Sequence, residues 1–421
     1  MTWASVLANL RLIYTNPLTR RPTRGTFAVV TGPRVRTGLE RIAHDAAAQV
    51  FVRGRRVGLV AHPASVTAEL VHARDILLAA GATIGALFGP EHGFGGEAQD
   101  MIGVTGAKDA VTNAPIHSLY GATEESLSPR AEWLEGLDAV VIDLQDVGSR
   151  YYTFVWTAVL VARACSALGI HTVVLDRPNP LGGSSVEGSP QRVEFRSFVG
   201  LRMVPVRHGL TIGEIVRDAA RDESLANVDV VTMDNWSRDQ TFEQTGVPWV
   251  LPSPNMPTVD VARVYPGGCL LEGTNVSEGR GCTRPFEVFG APWVDGARVA
   301  REMMAKGGPG FVARPLVFQP TFHKHAGDLC GGVQVHVTDA ARFRPYRAYL
   351  AALCSLRQDP QFAWRTERYE FVDAHPAIDL LTGDPDVRAG IDAGADVETL
   401  LAIGADRMRA WTAQTGRHLY K

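Results

Sequence analysis

The chain has 421 residues, 45% hydrophobic and 21% charged, the composition of an ordinary globular protein rather than a disordered or membrane one. Its formal net charge of −3 excludes a general nucleic-acid binder, which needs a surplus of clustered Lys and Arg to neutralise phosphates. At roughly 150 residues per domain the length leads us to expect two domains.

Residues 1–36 read as an N-terminal arm. Its apolar stretch WASVLANLRLIY is interrupted by Arg11 and followed by Arg20, Arg21 and Arg24, the reverse of a secretory signal's charge order. The five cysteines, at 165, 269, 282, 330 and 354, show no CxxC spacing, so neither a disulfide framework nor a zinc site is expected. Free thiols favour a reducing, cytoplasmic setting. No apolar run reaches the roughly 18 residues of a membrane span.

From Arg56 onward, β-rich apolar runs alternate with helical patterns. The runs are RVGLVAH from Arg56, TIGALFG (83–89), PIHSLYG (115–121), DAVVIDLQD (138–146) and HTVVLDRP (171–178), with a further strand at NVDVVTMD (227–234). VTAELVHARDILLAAG and FVWTAVLVARACSALG read as amphipathic helices closed by Gly81 and Gly169, since glycine supplies a C-cap. This βαβ order, with near-continuous apolar strands, predicts an α/β fold with a Rossmann-like doubly wound parallel sheet over residues 37–262. The proline-dense SPNMPTVDVARVYPGG marks the junction. Beyond it, helical DGARVAREMMAKG and FRPYRAYLAALCSLRQ and strand-like VARPLVFQPTF and GGVQVHVTD predict a smaller α+β domain over 263–421.

Three strands end in polar residues, and ligands of open α/β sheets bind beyond the carboxyl ends of strands. After TIGALFG comes a Gly-rich loop with Glu91 and His92; it reads equally as a surface turn and as the presentation of an acid. After Tyr120, the segment DLQDVGSRYYTFVW supplies Asp143, Gln145, Asp146, Arg150, Tyr151 and Tyr152, either a polar and aromatic ligand platform or helix core with salt bridges. Asn179 follows the HTVVL run, and Asn255 sits between prolines in SPNMPT. LLEGTNVSEGRGCTRPFE carries Glu272, Asn275, Glu278, Arg280 and Arg284, a loop stitched by ion pairs or a site with a second carboxylate and an anion-binding arginine. In HKH, the i, i+2 spacing puts His323 and His325 on opposite faces of a strand, so no metal is expected there.

GxGxxG after the first strand, GxxxxGK[ST], HExxH and GxSxG are all missing, and no cofactor is expected. The remaining inventory of carboxylates, amides and aromatics fits glycoside hydrolysis, in which an acid protonates the leaving oxygen and a second group meets the cationic anomeric centre.

The motifs GPEHGFGG, DLQDVGSRYYTF, LDRPNPLGGSSVEG, SPNMPT and YPGGCLLEGTNVSEGRGCTRPFEVFGAPW resemble those of the NamZ-type exo-β-N-acetylmuramidases, a family formerly labelled a domain of unknown function. The resemblance runs from about Val35 to the C-terminus. It implies a Rossmann-like domain with a smaller C-terminal domain, and release of N-acetylmuramic acid from the non-reducing ends of peptidoglycan fragments. It puts the general acid on Glu91, and Glu272 is the candidate second group, with Asp143 and Asp146 as rivals. The lactyl carboxylate of muramic acid calls for an arginine, for which Arg150, Arg280 and Arg284 qualify. Exported family members make a periplasmic or extracellular location the alternative to recycling of muropeptides in the cytoplasm. The competing functional class is a non-catalytic muropeptide-binding or sensing protein; a nucleotide-sugar enzyme lacks its phosphate loop.

Overall fold

The structure, a computed structural model, describes residues 33–96, 107–414, 416 and 418–421. Most of the expected N-terminal arm and the end of the Gly-rich loop, 97–100, lie outside the described residues.

Seven strands form one sheet: β1 Arg56–Ala61, β2 Thr83–Gly89, β3 Ala107–Lys108, β4 Pro115–Ser118, β5 Ala139–Asp143, β6 His171–Leu175 and β7 Val228–Val231. Their order is β3-β4-β2-β1-β5-β6-β7. All neighbours are parallel except the short antiparallel edge pair of β3 and β4. Leaving out β3, the chain first steps outward from β1 through β2 to β4, then returns to β5 and steps the other way, so its direction reverses between β1 and β5. That is the doubly wound arrangement, with its crevice at the reversal point.

The apolar runs are continuous because both sheet faces are covered. Val57, Leu59 and Ala61 of β1 face one core with Leu39, Ile42 and Leu77, whereas Val60 faces the other. Val141 and Ile142 of β5, and Val173 and Val174 of β6, divide in the same way, as the two-residue period of a strand requires.

The stretch expected to be one helix ending at Gly81 is helical only over Ala73–Ala79. Leu70 adopts φ +62° and Val66 bridges to His72. The His72 ring then accepts the Arg74 amide as N-cap, so the helix begins where its first free amides find a partner. The second expected helix forms over Phe154–Ala167 and closes at Gly169, φ +70°.

In the second part, β8 Val288–Ala291, β9 Phe311–Phe318 and β10 Cys330–Val337 make an antiparallel sheet in the order β8-β10-β9. Sequence patterning anticipated β9 and β10 but not the short β8. Strand β9 stops at Phe318, so His323 and His325 sit in a turn at φ +68° and +58° rather than on opposite faces of a strand.

One apolar core continues across both parts, from Val60, Phe88 and Trp156 through Tyr265 and Phe289 to Tyr349 and Leu381. The helix Val259–Gly268 carries that continuity. A Cβ at Gly267 would stand 2.2 Å from the Pro345 carbonyl oxygen, so the YPGG sequence permits its close approach to the helix Pro345–Leu356.

Candidate active site

Strand β2 ends at Gly89, and the chain turns at once. The Gly93 amide donates to the Pro90 carbonyl at 2.9 Å, with His92 at φ +73°, the pattern of a type II turn with Glu91 at its first corner. A non-glycine residue in the left-handed region stores strain of about 1 kcal/mol or more. The turn packs back on the strand end, where a Cβ at Gly89 would lie 2.2 Å from the Phe94 nitrogen. Glu91 is thereby fixed in a pocket wall with only 6% of its surface exposed, and the Thr153 hydroxyl donates to its Oε2 at 2.8 Å.

The same pocket is lined by Glu272, Arg280, Tyr369 and Glu370 and by the aromatics Tyr151, Tyr152, Tyr265 and Phe286. Tyr265 meets Tyr152 edge-on at 5.9 Å and Phe286 at 4.8 Å between ring centroids, a geometry that aromatic quadrupoles favour. The Tyr152 hydroxyl is buried in the pocket wall beside the Ser253 side chain. Both Glu272 oxygens accept: Oε1 from Arg280 at 2.7 Å and Oε2 from the Tyr369 hydroxyl at 2.7 Å. Arg280 also pairs with Glu278 at 3.2 Å, and Glu278 is held in turn by Lys324 and His323. Burial works to raise the Glu278 carboxyl, but Lys324, His323 and Arg280 bring it well below its ordinary value.

Glu370 is a carboxylate that sequence reasoning missed. It and Phe371, at φ +44° and +69°, form the corner of a tight turn closed by two hydrogen bonds between Tyr369 and Val372. Such turns are normally built from Asn and Gly, and this one holds neither. Tyr120 braces it: its hydroxyl donates to Glu370 Oε2 at 3.3 Å and its ring lies 5.8 Å from that of Phe371.

Of the nominated residues, Glu91, His92, Tyr151, Tyr152, Asn255, Glu272 and Arg280 line this pocket. The others do different work. Asp143 is fully buried and receives Arg177 at 2.5 and 2.8 Å. Asp146 accepts the Gly148 amide, and Gln145 donates to the carbonyls of Asp146 and Pro178. Neither Asp143 nor Asp146, the rivals to Glu272, belongs to the pocket lining. Arg150 donates to the carbonyls of Ser189, Val204 and Leu381, and burial lowers its guanidinium to about 10; it clamps loops and is not among the pocket-lining residues. Asn179 pins the turn at Leu181, and Asn275 pairs with the backbone at Gln361 and Ala363. Arg284 points outward and pairs with Glu287, while Tyr120 and Glu278 act from behind the wall.

Two family profiles cover nearly all of this architecture: "Exo-beta-N-acetylmuramidase NamZ, N-terminal" over residues 57–260 and the corresponding C-terminal profile over residues 263–420. The chain is 40% identical, over 88% of its length and 87% of the relative's, to the peptidoglycan beta-N-acetylmuramidase NamZ of Bacillus subtilis strain 168. Crystal structures of two DUF1343 family proteins of Bacteroides fragilis NCTC 9343 share the fold. One matches at a TM-score of 0.79 with 29% identity and the other at 0.71 with 26%, each over 92% of this chain and 99% of its own.

Proposed function

The chain belongs to the NamZ exo-β-N-acetylmuramidase family, and from that premise we propose that it is a peptidoglycan β-N-acetylmuramidase that removes N-acetylmuramic acid from non-reducing ends. The observation that carries this reading is a buried glutamate, Glu91, sharing a small aromatic-lined pocket with two further carboxylates, Glu272 and Glu370.

In this reading Glu91 gives its proton to the glycosidic oxygen as the bond to the anomeric carbon breaks. Glu272, fixed by Arg280 and Tyr369, supplies a stationary negative charge for the cationic ring, and pre-aimed charge of this kind costs no reorganisation during the reaction. Water adds its hydroxyl to the anomeric carbon and loses its proton to a pocket carboxylate. Arg280 serves this reaction by orienting Glu272, its charge being shared between Glu272 and Glu278.

A chromogenic β-N-acetylmuramide and the matching β-N-acetylglucosaminide test the proposal side by side. Release from the muramide alone is expected. Preference for the glucosaminide, or release from neither, rejects the proposal.

A further inference from the structure

Beside the pocket runs a second, wider recess, with about 1020 Å³ of empty space against about 430 Å³ in the pocket, solvent at both mouths included. Asn255 belongs to both walls, so a ligand seated against Glu91 that continues past Asn255 enters this groove. Its floor and rim are Phe318, Gln319, Thr321, Phe322 and Thr283. Phe322 is 41% exposed and, with Phe318, gives the groove an aromatic surface.

The groove is built onto the site. The Thr321 amide and hydroxyl both donate to the Gly281 carbonyl, at 3.1 and 2.8 Å, one residue after Arg280. The neighbouring Lys324 reaches the carbonyls of Leu271 and Val276, on either side of Glu272. The turn that presents Phe322 is therefore anchored to the segment that carries the pocket carboxylate.

We propose that this groove is the binding site for the leaving sugar, a neutral N-acetylhexosamine on the reducing side of the cleaved bond. The inference rests on the muramidase reading and extends it from one ring to two. Chemistry selects this occupant: among the described residues every side chain lining the groove is uncharged, whereas a peptide stem rich in carboxylates calls for Arg or Lys. Aromatic faces, an amide and hydroxyls are what a neutral sugar ring uses, through its C–H faces and its hydroxyl groups. An open groove next to a narrow pocket also suits an exo-acting enzyme, which takes one terminal ring deeply and leaves the rest of the chain near solvent.

The test compares two substrates of the full-length protein: the β-linked disaccharide of N-acetylmuramic acid and N-acetylglucosamine, and methyl β-N-acetylmuramide, whose aglycone stops short of the groove. Phe322→Ala is expected to lower kcat/KM on the disaccharide about tenfold, mainly through KM, the scale of one lost aromatic platform. The methyl glycoside should be cleaved as by the unmodified protein, and Phe322→Trp should restore the disaccharide. Equal effects on both substrates, or none on either, overturn the proposal. So does a loss confined to disaccharides bearing a peptide stem, which would assign the groove to the peptide. Failure of the unmodified protein to cleave either substrate refutes the muramidase reading itself, and the subsite with it.

Discussion

Two buried polar clusters lie along the carboxyl edge of one sheet, and they differ in what their carboxylates face. Beyond β1, β5 and β6, Asp143 gives both oxygens to Arg177, and Arg177 also reaches the Val66 carbonyl. This cluster closes on itself and ties three strand ends together. Beyond β2, Glu91 takes a neutral hydroxyl from Thr153 and faces a cavity. Carboxylates at two strand ends of one sheet thus make a strut in one place and part of a pocket wall in the other. Asp143 is held inside the fold by the fixed fork of Arg177, whereas Glu91 stands in the lining of a pocket.

Changing each cluster sharpens that contrast. The largest effect belongs to Glu91→Gln, which keeps shape and burial but removes the transferable proton. Turnover of the chromogenic muramide should fall by about 100- to 10,000-fold, the range of general acid catalysis, with thermal unfolding unchanged. Near-normal turnover would take Glu91 out of the chemistry. Arg177→Met should give the mirror image, a loss of about 3–5 kcal/mol in urea unfolding because Asp143 is left buried and unpaired, while kcat per folded molecule stays the same. A stable variant would mean that Asp143 is not held by that pair.

A third carboxylate, Asp176, belongs with the strut. Burial raises it from its ordinary 3.8 to about 6, against hydrogen bonds from Tyr420, Gly213 and Thr211. Because its folded value exceeds its unfolded one, the folded state keeps a proton that the unfolded state has lost, and the stability this residue contributes falls as pH rises from about 4 to 6. The whole span is up to about 3 kcal/mol at about 1.36 kcal/mol per unit. Asp176→Asn should remove that slope when urea midpoints of the two proteins are compared across this window; parallel curves would contradict it. The smallest effect is expected from Thr153→Val, which deletes the hydroxyl that Thr153 donates to Glu91. A several-fold fall in kcat is expected, from about 1 kcal/mol for one neutral hydrogen bond, and an unchanged kcat would make that contact incidental.

The sheet was legible in the sequence because strands covered on both faces leave unbroken apolar runs, and each of the six parallel strands forms where such a run lies. Glu91, Glu272 and Arg280 were legible because glycine-rich loops set charged side chains apart from any regular face. Arg150 and Asp143 carried the same local signal, and only tertiary pairing with partners 231 and 34 positions away ties them into the interior. Glu370 left no trace: YEFV has neither the Asn nor the Gly that announces a turn with two left-handed residues, and the surrounding aromatics, not local preference, hold it in that shape.

The uninterrupted core between the two sheets has a consequence for how the protein can be made and divided. A fragment ending at Ala262 would uncover Tyr120, Tyr151 and Tyr152, whose rings meet Phe371 and Tyr265 of the second part, an oily face of the kind that drives self-association. The halves should therefore not be interchangeable modules: grafting the second onto a distant relative would demand that its greasy underside be re-cut to the new partner, and co-expressed separate pieces should recover solubility only by finding each other.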